Sequence, residues 1–107
     1  MYLINKKDQH RIEVFEGVIR HTLACGKDVL MARFEYKQGA TVPLHKHSYE
    51  QVTTILEGEQ KVIIEGEDGT EELIVKAGDT YIVPANFSHE QITIKEAVTI
   101  DAWSLAP

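Results

Sequence analysis

A chain of 107 residues has the length of one domain and enough material for a single buried core, so residues 1–107 are expected to form one unit. Its 17 acidic residues against 11 basic ones leave a net charge of −6, which argues against the basic face that holds nucleic acid or an anionic membrane. With 43% hydrophobic residues and no biased tract, the composition is that of a soluble globular protein whose expected partner is a small molecule.

The first residues, MYLINKKDQHRIEV, lack the basic-then-apolar pattern of a secretory leader, and no apolar run is long enough to span a bilayer; a cytoplasmic protein is expected. Strands are expected over Val18–Leu23 and residues 30–36, where Leu, Ala, Phe and Tyr alternate with Met, Arg and Glu. Cys25 is the single cysteine, which excludes an internal disulfide and a cysteine-based zinc finger. Further strands are expected over Gln51–Leu56, Gln60–Ile64, Glu72–Val75, Thr80–Val83, Gln91–Ile94 and Val98–Trp103, all rich in β-branched or aromatic residues. Turn signals separate them, among them Gly26-Lys27-Asp28, Glu57-Gly58-Glu59, Gly78-Asp79 and Pro84-Ala85-Asn86. No segment carries a capped helical stripe. Short strands at even spacing make an all-β sandwich or barrel. Val62-Ile63-Ile64 and Leu73-Ile74-Val75 are apolar on both faces, and a homodimer through an outer sheet face would cover the second one.

Chemistry concentrates in two stretches, Gly39–Gly58 and Gly78–His89. His45 and His47 share strand parity with Gln51, so an uninterrupted strand would turn all three to one face and Glu50 away. A neighbouring strand beginning near His89 would bring a third imidazole opposite them. Three imidazoles and an amide oxygen make a site for one divalent metal ion, with positions left for water or substrate. Zinc, nickel, iron, copper and manganese all remain open. With glutamine rather than a carboxylate at position 51, the ion keeps its full charge, which favours Lewis-acid work on an anionic or carbonyl-bearing ligand. His10 and His21 lie outside both stretches and are expected at the surface.

These stretches resemble the two motifs of the cupin superfamily. Gly39, His45, His47, position 51 and Gly58 match the spacing of the first, and Gly78, Pro84 and His89 that of the second. Asn86 stands where the second motif has a glycine, and asparagine is the residue that best replaces glycine in a left-handed turn. The resemblance implies a jelly-roll barrel, the double-stranded β-helix. The ending Ala97–Ser104 is further similar to the last strand of small cupins that convert unsaturated monouronates of pectin breakdown to their open-chain keto form. In that group a His-His-Gln-His metal site is accompanied by an aspartate and, two residues on, an aromatic; the matching positions here are Asp101 and Trp103. The resemblance implies that Asp101 moves protons and that Trp103 walls the pocket against the sugar. The arginine usual beyond the aromatic has no counterpart in Ser104–Pro107, which leaves Arg20 or Arg33 as possible sources of a guanidinium.

The expected function is metal-dependent turnover of an anionic or sugar-derived molecule without net redox change, as in a lyase or isomerase. Two rivals stand beside it. One is a metal-dependent dioxygenase; the other is a metabolite-binding or sensory barrel that catalyses nothing.

Overall fold

The computed structural model describes residues 2–104. After a short 3-10 turn at Lys6–Asp8 come eight strands: β1 (His10–Phe15), β2 (Val18–Cys25), β3 (Val29–Tyr36), β4 (Thr41–His45), β5 (Gln51–Gly66), β6 (Gly69–Lys76), β7 (Thr80–Val83) and β8 (Ser88–Ser104). Every pairing is antiparallel. The order is β1-β2-β3-β8-β5-β6, with β4 also on β8 and β7 also on β5. This is a jelly roll, and it organises itself around two long strands. β5 and β8 pair from Gln51 opposite Trp103 to Glu65 opposite Ser88. The first half of β5 and the second half of β8 form one sheet with β7 and β3; their other halves form a second sheet with β6 and β4.

The change of sheet occurs inside the strands, where the β5–β8 register slips repeatedly between Ile55 and Gln60. Gly58 makes it possible. Its φ is +88°, and a Cβ there would land on the Glu96 carbonyl oxygen and within 2.6 Å of the Ala97 Cα. The turn expected at Glu57-Gly58-Glu59 is therefore a bend in one continuous strand. Gln51–Leu56 and Gln60–Ile64 merge into β5, and Gln91–Ile94 and Val98–Trp103 merge into β8. Two strands are additional to those expected. β1 is an edge strand paired only to β2, and β4 contains Pro43; both gave weak periodic signals for those reasons.

Alternation sets the interior. Ala32, Phe34 and Tyr36 of β3 are buried in one apolar cluster with Val18, Val42 and Ala97. Ile55, Val62, Ile64, Val75, Tyr81 and Val83 form another. The barrel also buries an unusual amount of polarity for its size, including Gln51, Thr53, His89, Gln91, Thr99 and Asp101. On the outside, the face around Ile63 and Ile74 is broken by a 3.4 Å Lys61–Glu72 ion pair. The continuous apolar row lies elsewhere: Met31, Ala102, Val52 and Ile82 are register neighbours across β3, β8, β5 and β7. Met31, Val52 and Ile82 are exposed. No helix among the described residues is long and apolar enough to cross a membrane.

Candidate metal centre

His45 closes β4 and stands in register with His89, the second residue of β8. His47 is in the loop between β4 and β5, so the uninterrupted strand expected from His45 to Gln51 is replaced by a strand, a loop and a new strand. The strand breaks where the chain crosses from one sheet to the other. Its grouping of the side chains survives: Gln51 is buried, Glu50 is exposed, and the imidazoles of His45, His47 and His89 converge. Asn86 holds φ +67°, the left-handed conformation expected of it, and donates its backbone N–H to the His47 carbonyl at 2.8 Å. That bond joins the two motif stretches directly.

Each imidazole is tethered in the same way. His45 Nδ1 donates to the Pro43 carbonyl (2.8 Å), His47 Nδ1 to the Tyr49 carbonyl (2.9 Å) and His89 Nδ1 to the Phe87 carbonyl (3.1 Å). A carbonyl only accepts, so each Nδ1 carries a proton, which leaves Nε2 as the ring nitrogen available to a metal ion. Ligand nitrogens of the three rings lie within 4.8 Å of one another. His89 Nε2 is buried with no hydrogen-bond partner. Burial, with the neighbouring His45 and His47 adding, pushes His89 down to about 4 against the pull of its bond to the Phe87 carbonyl, so the ring is neutral at physiological pH. Three imidazoles converging on one space, one with a buried and unpartnered Nε2, is the donor chemistry of a divalent metal site. His47 is further held by Tyr49, whose ring stacks on it at 4.1 Å.

The fourth donor joins them from the other sheet. Gln51 Oε1 lies 3.2 Å from His47 Nε2. With His47 Nδ1 engaged by the Tyr49 carbonyl, Nε2 and the Gln51 oxygen face shared space. Gln51 Nε2 points the other way, donating to Thr53 Oγ1 (2.9 Å) and Asp101 Oδ2 (3.2 Å). Trp103 Nε1 donates to Gln51 Oε1 at 3.0 Å. Asp101 Oδ1 accepts from Thr99 Oγ1 at 2.8 Å. Burial pushes the Asp101 carboxyl up to about 7, with the Thr99 and Thr53 hydroxyls holding it back. Burial first, and the nearby Asp101 charge second, raise Tyr36 and Tyr81 as well.

All six residues singled out from the sequence thus fall in one neighbourhood. His45, His47, His89 and Gln51 face each other, Trp103 touches Gln51, and Asp101 lies directly behind Gln51. Arg33 bonds Glu35 at 3.0 Å on the outer face. Arg20 is opposite Phe34 in the β2–β3 register and so shares its inward side, with Nε buried and unpartnered. Thr53, Thr99, Phe34 and Tyr49 were not anticipated. The even spacing of Thr53 from Gln51, and of Thr99 from Asp101, would have found the two threonines; nothing local marks Tyr49.

The Cupin domain family matches residues 32–101, a span that includes all four candidate donors. The pectin degradation protein KdgF of Dickeya dadantii is 31% identical over 94 residues, covering 86% of this chain and 82% of its own. Among solved structures, an RmlC-like cupin from Shewanella frigidimarina superposes with a TM-score of 0.87 at 23% identity, covering 99% of this chain and 92% of that one. KdgF from a Halomonas species superposes at 0.85 and 20% identity, covering 100% and 96%. The chain belongs to the cupin family, and within it is similar to the pectin degradation proteins called KdgF.

Proposed function

We propose that the protein is a metal-dependent enzyme that acts without net redox change on a small, sugar-derived carboxylate, an unsaturated monouronate being the leading candidate. The observation that carries this reading is the donor set: three imidazoles and one amide oxygen, with no carboxylate among them. The 31% identity to a pectin degradation protein supports the substrate class. His45, His47, His89 and Gln51 would hold the ion, which when bound supplies Lewis-acid polarisation of a carbonyl or of water. The protein's remaining contributions are orientation and shape. Trp103 stands edge-on to Phe34 with ring centroids 5.8 Å apart, and the pair forms an aromatic wall for a sugar face. Arg20 supplies the guanidinium for the substrate carboxylate from the inward side of β2, in place of one from the C-terminal tail. Asp101 contacts Gln51 and Thr99 rather than open space, so in this reading it serves the donors from behind. A second copy covering the Met31–Ile82 row completes the proposed assembly.

The test is turnover by the metal-loaded protein. Elemental analysis identifies the ion, and an unsaturated monouronate is then followed by loss of its conjugated double bond. Acceleration that chelation removes and metal restores is the expected result, with Arg20→Ala raising KM more than it lowers kcat. Oxygen consumption during turnover would move the protein to the dioxygenases. Tight binding of the uronate without conversion would make it a binding barrel.

A further inference from the structure

The amide of Gln51 is matched on every side. Its two protons go to Thr53 Oγ1 and Asp101 Oδ2, and one lone pair of its oxygen accepts from Trp103 Nε1. The other lone pair is left for the space it shares with the imidazoles. Thr53 and Asp101 are themselves buried. We propose that Asp101 is a positioning residue that dictates a neutral amide at position 51: its Oδ2 accepts from the Gln51 Nε2 and so turns Oε1, not Nε2, toward the histidines. A side chain that fits there needs a donor on the Asp101 side and an acceptor on the histidine side, and the glutamine amide carries the two at opposite ends without a change of protonation.

Glutamate at this position would ordinarily be the stronger metal donor, being anionic. Here it would keep the bond from Trp103 but set a carboxyl oxygen where Nε2 now stands, 3.2 Å from Asp101 Oδ2, so that the pair either shares a proton or meets as two acceptors. As two acceptors they lose a hydrogen bond and add repulsion, and neither can turn to water; sharing a proton, they give up the negative charge that would make glutamate the stronger donor. The fourth donor's neutrality is thus set by the carboxylate behind it. An Asp101→Asn substitution would lift the constraint, because the new amide can present either end: oxygen to Gln51, or nitrogen to a glutamate.

This rests on Gln51 serving as the fourth donor, and the experiment separates the two claims. Zinc affinity of the full chain is measured at pH 8 by competition with a chromophoric chelator, with Trp103, the sole tryptophan, as a fluorescent reporter. Gln51→Glu alone is expected to weaken zinc binding by about tenfold or more, Asp101→Asn alone to stay within about threefold of wild type, and the double variant to bind at least as tightly as wild type. If the Gln51→Glu single variant binds zinc as tightly as the double variant, the proposal is overturned. Should Gln51→Glu fail to fold while the double variant folds, that rescue supports it. Should neither fold, Asp101→Leu, which offers Gln51 no acceptor, is expected to bind zinc at least fivefold more weakly than Asp101→Asn, on the order of an outer-shell loss; equal affinity overturns it. His89→Ala is the control. Unchanged zinc binding there would remove the four-donor site itself, whereas loss there with no coupling between positions 51 and 101 removes only the pairing.

Discussion

Toward the exposed His45 side, three imidazoles turn Nε2 lone pairs toward a common space, whereas one layer deeper Gln51, Thr53, Thr99 and Asp101 match donor to acceptor. The first group is incomplete as a hydrogen-bonded set, and the second is nearly complete. Converging acceptors repel until a cation fills them, so the first group holds ligand affinity and contributes little to the stability of the bare fold. Paired donors and acceptors in a buried layer do the reverse: they fix rotamers and orient what lies above them. Gln51 belongs to both groups, and its two ends obey the two rules separately.

The sharpest way to break this division is to empty the first group. Replacing His45 and His47 together with alanine is expected to reduce metal affinity by more than the roughly 100-fold seen for outer-shell changes. The thermal midpoint of the metal-free protein should fall little. A large drop in that midpoint, read by calorimetry on chelated protein, would mean that the imidazoles support the fold itself.

The bend that brings the two groups together offers the next test. Gly58→Ala forces a Cβ onto the Glu96 carbonyl and a left-handed backbone onto alanine. The expected cost is about 3 kcal/mol or more, and at this chain length each kcal/mol lowers Tm by roughly 4–8 °C. A variant with unchanged Tm would show that β5 can cross between sheets without glycine.

A subtler effect comes from protons. In the metal-free protein His89 is held down to about 4, so its contribution to stability is present above the ordinary histidine range and is lost as pH falls toward 4. Asp101 is held up to about 7, so its contribution is present at low pH and is lost as pH rises from the ordinary carboxylate range through 7. Over the pH range that both share the two slopes oppose each other. Asp101→Asn should therefore unmask a stability that rises with pH, and His89→Gln one that falls, in urea unfolding at pH 5 and pH 6.5. Parallel slopes in the two variants would contradict the opposition.

The smallest effect is expected outside the barrel. Ile82→Glu, at the end of the exposed Met31–Ile82 row, should convert a dimer to a monomer in light scattering while leaving metal affinity within about twofold, since its side chain lies on the opposite face of the sheet from Val83 and Gln51. A wild-type protein that is monomeric at high concentration would remove the proposed interface.

Much of this was legible without coordinates, and the reasons differ residue by residue. Alternation in residues 30–36 named the buried face of β3 because side-chain direction on a strand is a local property. The left-handed turn at Asn86 was legible because few residues adopt that conformation. The grouping of His45, His47 and His89, with Gln51 beside them, was legible from spacing. One unbroken strand through His45, His47 and Gln51 is not how the fold groups them. The chain leaves the strand after His45 and starts another at Gln51, and a loop tied by Asn86 to the His47 carbonyl sets the geometry.

What the sequence determined by itself is the all-β class, the two stretches that carry the histidine cluster and the absence of a carboxylate from it, because each depends on residue type and short-range spacing. The tertiary structure decided everything that joins residues far apart in the chain. It made one strand of two at Gly58, moved the exposed apolar row away from Ile63 and Ile74, and set Asp101 behind Gln51, fifty residues away in the sequence. A hydrogen bond across that separation depends on the register of β5 against β8, and register is a property of the folded sheets rather than of any local stretch. Gly39–Gly58 supplies the amide, and the far end of β8 decides which way it points.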